Sequence, residues 1–410
     1  MGFNLQGFIM VTYTPDIQKI YNKVGEKGVH FRPEIGVSLG TTAKCSSPQE
    51  NRASQGRAER YYGLSMARDI LVKEAKIRMP KKYPGDVFRT SDCRYTMHSD
   101  TVGVHFAAEY QKAHYSGLTT CGSVWACPVC TSKIQERRRL EIEQAITWAK
   151  NNNYLVVMVT FTFPHYSFQS LKELIDKQKK SFVHLRSGKI WQDMKEGIGF
   201  LGLIRSLEVV HGKNGWHPHT HELWFIKSNI GSYWLSSKWK KACVFSGLLD
   251  PDNEQQVISF MSHSVDVRLN VDDGDYLAKQ DDSRKWGLSH EMAKATSKEG
   301  RSKGVHPHHF LVRRSPGDTG RYIEYVDSMK GKSQLFWSRG LKGIMSVNHL
   351  DDEELADESR DSADLLASLS SEQWSFVRGN DARAELLDAA ETGGVEAISL
   401  FLKSLGAKPL

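Results

Sequence analysis

Residues Ile204–Lys227 read IRSLEVV, then HGKNGW, then HPHTHELWFIK. The first block carries β-branched Ile204, Val209 and Val210 with Leu207, which predicts a strand over Ile204–Val210. Asn214-Gly215 supplies turn chemistry inside His211–Trp216, and His217–Lys227 then reads as the return strand of a hairpin. Side chains two apart on a strand share a face. His219 and His221 therefore present adjacent imidazoles to one side, with His217 above them at the strand entrance. Glu208 on the preceding strand is the natural third ligand. Two imidazoles and one carboxylate leave open positions on a divalent ion, Mg²⁺ or Mn²⁺, that can polarise a phosphate oxygen. A second run, His306-Pro-His308-His309, repeats the i, i+2 spacing but has no obvious carboxylate on a paired strand. It reads as basic surface against nucleic acid.

Working outward, Tyr154–Phe163 (YLVVMVTFTF) is a buried strand stopped by Pro164, and Ser264–Val271 reads as another. Ser132–Lys150, Ser170–Ser187 and Tyr233–Phe245 carry helical patterns, and Asp275–Gln280 opens a further helix. Residues 61–82 form a basic helix in which Leu64, Ile70, Leu71 and Ile77 punctuate Arg68, Lys73, Lys76, Arg78, Lys81 and Lys82. Thr41–Gln55 is polar and reads as a linker. The expected class is α+β, a central antiparallel sheet flanked by helices. Its expected divisions are an irregular segment 1–60, a basic helix and cysteine segment 61–150, a catalytic domain 151–345 and an acidic helical tail 346–410.

At 410 residues and 40% hydrophobic, the chain predicts two or three folded units and excludes global disorder. The longest apolar run is about ten residues, half of the roughly 20 a membrane span needs. MGFNLQGFIMVTY lacks a basic n-region and a small-residue cleavage site. A cytosolic location and no membrane partner are expected. The net charge of +7 hides an asymmetry: residues 351–410 hold 14 acidic and 5 basic side chains, while residues 1–350 hold 34 and 50. A basic body suits a polyanionic partner. The acidic tail reads as a solubilising cap or as a docking site for another protein.

Cys93, Cys121, Cys127 and Cys130 are spaced C-x27-C-x5-C-x2-C. Four thiolates, two of them in a C-P-V-C knuckle, suit one tetrahedral Zn²⁺ of structural type. His98, His105 and His114 are alternative ligands to the distant Cys93. In a cytosolic chain the pattern does not suggest a disulfide scaffold. Asp275-Tyr276-Leu-Ala-Lys279 puts a phenol and an ammonium on one helical face. A phenol of ordinary pKa near 10 needs a polarised phosphate and a nearby cation to act as a nucleophile.

In this order the three elements resemble the rolling-circle replication initiators of plasmids, in the HUH endonuclease superfamily. Phe161-Thr162-Phe163-Pro164 resembles the first family motif, Trp216-His217-Pro218-His219-Thr220-His221 the metal motif, and Asp275-Tyr276-Leu277-Ala278-Lys279 the nucleophile motif. The cysteine array resembles the zinc knuckle of one large plasmid branch, and Gln334–Lys342 also resembles that branch. The resemblance covers residues 90–343. Two departures stand out. Thr220 replaces the usual hydrophobic residue between the metal histidines, and the water-activating glutamate has no clear match, which leaves Asp272 or Asp275.

The resemblance implies origin-specific nicking and joining of single-stranded or hairpin DNA. Tyr276 would form a 5′-phosphotyrosine link and leave a 3′-hydroxyl primer, Lys279 would stabilise charge, and a carboxylate such as Asp272 would activate water. Host polymerase and helicase are the implied partners, with a homo-oligomer one way to cut twice. No Walker-type phosphate loop is present, so no built-in helicase is expected. Relaxases, which place the tyrosine before the histidines, and transposases are alternatives within the superfamily. A non-enzymatic zinc-dependent DNA-binding protein is the alternative outside it.

Overall fold

The computed structural model describes residues 48–269, 304–356 and 363–410, with side chains from residue 56 onward. In chain order its main elements are α1 (Pro48–Arg78), β1 (Val102–Ala107), β2 (Lys112–Ser116), α2 (Pro128–Asn151) and β3 (Leu155–Phe161). Then follow α3 (Leu171–Leu185), α4 (Gly188–Gly197), β4 (Gly202–Gly212), β5 (Gly215–Ile226), α5 (Ser232–Ser246), α6 (Glu254–His263) and β6 (Val265–Arg268). The last are α7 (Asp318–Met329), β7 (Leu335–Trp337), α8 (Leu341–Ile344), β8 (Asp364–Leu369), α9 (Ser371–Gly379) and α10 (Arg383–Ser404). The described chain forms two compact units. One takes residues up to Cys130, Leu311–Arg314 and Ala356–Leu410, the other Thr131–Phe310 and Ser315–Leu355.

The second unit is built on a five-stranded antiparallel sheet ordered β6-β3-β5-β4-β7. The α+β class read from the sequence holds. Period-2 alternation splits β5 between two environments. Leu223 and Phe225 share a face with Val156, Met158 and Ile204, and Ile142, Ala145, Ile146 and Ala149 of α2 cover it. On the other face Phe161, Phe182 and Trp239 meet with ring centroids 4.9–5.4 Å apart. Ser170 caps α3 by accepting from the Glu173 amide, and left-handed Gly247 ends α5.

Glu222 lies fully buried on that second face. Its carboxylate accepts from Arg186 at 2.5 and 2.6 Å, from Arg205 at 2.6 Å and from the Trp224 indole at 2.8 Å. Burial pushes the carboxyl up, but the two guanidinium groups outweigh it and hold it below its ordinary value. Its stabilising contribution is therefore complete above the ordinary carboxylate range and fades as pH falls through the lowered value. Glu222→Ala leaves two part-buried cations without their anion, and we expect a loss of about 3–5 kcal/mol in urea unfolding. A loss under about 1 kcal/mol would show that the arginines find other partners.

The hairpin turn is shorter than the sequence reading. His211 pairs with Trp216 and Gly212 with Gly215, so Lys213 and Asn214 alone turn the chain. The left-handed backbone falls on Gly215, at φ +86°, as in a type I turn closed by a glycine bulge. Pro218 is accommodated because β3 pairs with β5 only from Thr220 onward, so at Pro218 the strand has one neighbour.

The first unit holds a three-stranded sheet ordered β2-β1-β8. This unit differs from the sequence expectation in two places. The segment read as a linker is already helical from Pro48. The acidic C-terminal stretch, read as a helical appendage with no strand, contributes β8, which pairs antiparallel with β1. Its acidity is partly consumed within the unit, since Asp388 and Glu391 ion-pair with Arg57. The Glu391 carboxylate also accepts from the Ala113 amide at 2.8 Å. Arg383, only 1% exposed, donates to the Arg94 carbonyl at 3.1 Å, and Tyr115 donates to the Arg383 carbonyl at 2.7 Å. Among the described residues no helix is long and apolar enough to cross a membrane.

Candidate metal centres

Register decides the first site. Glu208 on β4 stands directly opposite His219 on β5, and His221 stands opposite both Ser206 of β4 and Thr160 of β3. All point to the face that carries Leu223 and Phe225 further along. The Glu208 carboxylate lies 2.8 Å from His219 Nε2 and 3.4 Å from His221 Nε2. One donor atom from each of the three residues lies within 4.8 Å of the other two. Burial pushes the Glu208 carboxyl up, but the two imidazoles overcome it and hold it well below the usual carboxylate range.

The donor set fits a divalent cation. His221 Nε2 is buried without a hydrogen-bond partner, and so is His219 Nδ1. A buried imidazole nitrogen facing a carboxylate at 3.4 Å has a place for a cation between the two groups. Thr220, between the histidines, faces the other side of the sheet, and its hydroxyl accepts from Gln178 at 3.0 Å. That the residue here is not hydrophobic is thus absorbed by a hydrogen bond away from the site.

Three neighbours escaped the sequence reading as site residues. Thr160 Oγ1 lies 3.0 Å from His221 Nδ1, which fixes the ring so that Nε2 faces Glu208. Thr162 Oγ1 lies 2.9 Å from His217 Nε2, and the His165 ring stacks on His217 at 4.3 Å. Burial, together with His219 and His165, pushes the His217 imidazole down to about 3. The available signal was the i, i+2 pair Thr160 and Thr162 in VTFTFP.

In the run His306-Pro-His308-His309 the first histidine is not on the surface, while His308 and His309 are half-buried. His306 is 5% exposed, and its segment is tied to the hairpin by the bridge between His211 and Val305. Its ring lies 4.6 Å from that of His308 and 6.3 Å from that of Tyr325. Asp272, Tyr276 and Lys279 fall outside the described residues.

The second site lies in the first unit. Cys93, Cys121, Cys127 and Cys130 are buried, with Sγ–Sγ distances of 3.5, 3.6 and 3.7 Å for the pairs 93–130, 93–127 and 121–130. A tetrahedral Zn²⁺ with Zn–S near 2.3 Å requires about 3.8 Å between sulfurs. Hydrogen bonds reach the sulfurs from the Thr90 hydroxyl and from the Ser123 and Cys130 amides at 3.4–3.6 Å. Burial pushes the Cys121 and Cys127 thiols up, while hydrogen bonds from the other three cysteines and the Arg94 charge hold Cys130 well down. The alternative ligands lie elsewhere. His105 Nε2 bonds Ser116, and its ring stacks on His114.

The family model described as "Replication protein" matches residues 116–377. A "Protein rep" of Streptomyces lividans is 24% identical over 304 residues, covering 58% of this chain and 66% of that protein. A "Neomycin resistance protein" of Streptomyces cyanogenus is 32% identical over 133 residues, or 26% of this chain and 30% of that protein. A "Protein rep" of Lentilactobacillus hilgardii is 27% identical over 124 residues, or 28% and 37%. The chain thus spans less than two thirds of the length of each of these relatives. No solved structure matches.

Proposed function

This chain belongs to the replication protein family, and on that premise we propose that it initiates rolling-circle replication of a plasmid in the bacterial cytoplasm. In this reading it nicks and rejoins one strand of its origin, taken as single-stranded or hairpin DNA. The observation that carries the reading is the cluster of Glu208, His219 and His221 on adjacent sheet strands. These three residues would hold Mg²⁺ or Mn²⁺, which when bound draws charge from the scissile phosphate. Cys93, Cys121, Cys127 and Cys130 would hold a structural Zn²⁺.

The chain's own groups then do the rest. Tyr276 attacks phosphorus as its phenolic proton passes to solvent, and the departing 3′ oxygen takes a proton from solvent in return. A phosphotyrosine bond forms to the 5′ side as the bond to the 3′ oxygen breaks, and the 3′-hydroxyl primes host polymerase. Lys279 offsets the charge that develops on the phosphate oxygens. Asp272 takes a proton from water in the terminating cut. Unwinding falls to a host helicase, and a homo-oligomer is one way to supply two cleavages.

The test incubates full-length protein with single-stranded DNA from its replicon and Mn²⁺. The expected product is an adduct that survives denaturation and maps to Tyr276 by mass spectrometry. Tyr276→Phe and chelation should each remove it entirely. An adduct that persists in Tyr276→Phe, or cleavage with no adduct, would overturn the assignment of the nucleophile.

A further inference from the structure

The hairpin tip and the loop after β3 enclose an open groove of about 630 Å³. Gly215 sets its shape, because a Cβ there would meet the Cα of Ser167 at 2.8 Å. The loop is therefore pressed against the turn. It carries Tyr166 and Phe168, whose rings lie parallel to within 6° at 5.6 Å. Phe168 is 84% exposed and Tyr166 44%. Two glutamines hold Tyr166 in place. Gln169 accepts from the Tyr166 amide at 2.9 Å, and Gln256 donates to the Tyr166 hydroxyl.

Cations flank the rings. Lys213 is exposed at the hairpin tip, and Arg321 lines the groove from α7, donating to Asp318 at 3.0 Å. The one carboxylate of the lining, Glu324, already accepts from the Leu171 amide at 2.9 Å. Trp216, which lines the groove, is next in sequence to His217, and strand alternation turns the two side chains to opposite faces of the sheet. His165, next in sequence to Tyr166, stacks on His217, and the His217 ring lies 5.1 Å from that of His219.

We propose that this groove holds unpaired DNA flanking the nick site, with a base stacked on Phe168, which Tyr166 backs, and backbone phosphates on Lys213 and Arg321. This rests on the nicking reading above and adds its substrate subsite. A fixed aromatic pair with an open ring face suits a base whose own faces are free, and the cations match the backbone between bases. A duplex keeps its base faces stacked and offers nothing to such a platform.

The experiment uses full-length protein in EDTA, so that no strand is cut, and a fluorescein-labelled twelve-residue oligothymidylate. Phe168→Ala should weaken binding about tenfold with little change in salt dependence. Phe168→Trp should restore it. Lys213→Ala should flatten the slope of log affinity against log salt by about 0.7. A 4-thiothymidine oligonucleotide should cross-link to the peptide holding Tyr166 and Phe168. Binding to a duplex of the same length should not respond to Phe168→Ala. Unchanged single-strand affinity in Phe168→Ala, or cross-links only to other peptides, would overturn the groove. The two readings fail separately. Normal adduct at Tyr276 with wild-type oligonucleotide affinity in Phe168→Ala removes the groove alone. A Phe168-dependent affinity with no adduct removes the nicking chemistry alone.

Discussion

His219→Ala is expected to lower Mn²⁺-dependent adduct formation by roughly 10²–10³-fold, with single-strand binding in EDTA unchanged. Glu208 and the two histidines converge because β4 and β5 pair in register and because β5 alternates. Removing one imidazole leaves the buried carboxylate of Glu208, 7% exposed, facing one histidine instead of two. Mn²⁺ affinity, read by titration of the paramagnetic signal, should fall in step with the adduct. Thr160→Val is a milder change. It removes the 3.0 Å contact to His221 Nδ1 while the strand remains, and about 10–100-fold in Mn²⁺ affinity is expected, with Thr160→Ser recovering most of it. Wild-type cleavage in His219→Ala would show that the cluster does not serve the cut. Equal Mn²⁺ affinity in Thr160→Val would show that the hydroxyl does not orient the ring.

The contrast between His219 and Thr160 also marks what the sequence could disclose. Three histidines at i, i+2, i+4 with a carboxylate on the preceding strand announce their common face through strand periodicity alone. Thr160 and Thr162 lie on a strand that was recognised, yet their partners depend on how β3 registers against β5, which no local pattern encodes. The same holds for β8. Asp364–Leu369 is short and follows an acidic run, and it becomes a strand through pairing with β1, more than 250 residues earlier in the chain. Pro48–Gln55 is polar enough to read as a linker, yet it forms the first turns of α1. The Asn214-Gly215 signal was sound, but His211 and Trp216 still pair, so the turn narrowed to two residues.

Loss of the cysteine centre should have the largest effect on folding. The four sulfurs come from distant points: Cys93 after a short turn at Arg89–Asp92, Cys121 in the segment after β2, and Cys127 and Cys130 at the start of α2. All four are at most 5% exposed. If they were free thiols, Cys127→Ser would replace one small buried group by another, at a cost of about 1–3 kcal/mol for the unpaired hydroxyl. If they hold Zn²⁺, the same change removes one of four ligands from a site whose binding free energy is on the order of 10 kcal/mol and is spent on folding. The first unit should then lose its cooperative melt and become sensitive to protease between Cys93 and Cys130. Zinc per chain should drop from one to well below one. The hydrogen bonds from Thr90, Ser123 and the Cys130 amide favour thiolates over thiols, which argues for the second case. Protein purified without zinc, melting as wild type after Cys127→Ser, would place these cysteines among ordinary core residues.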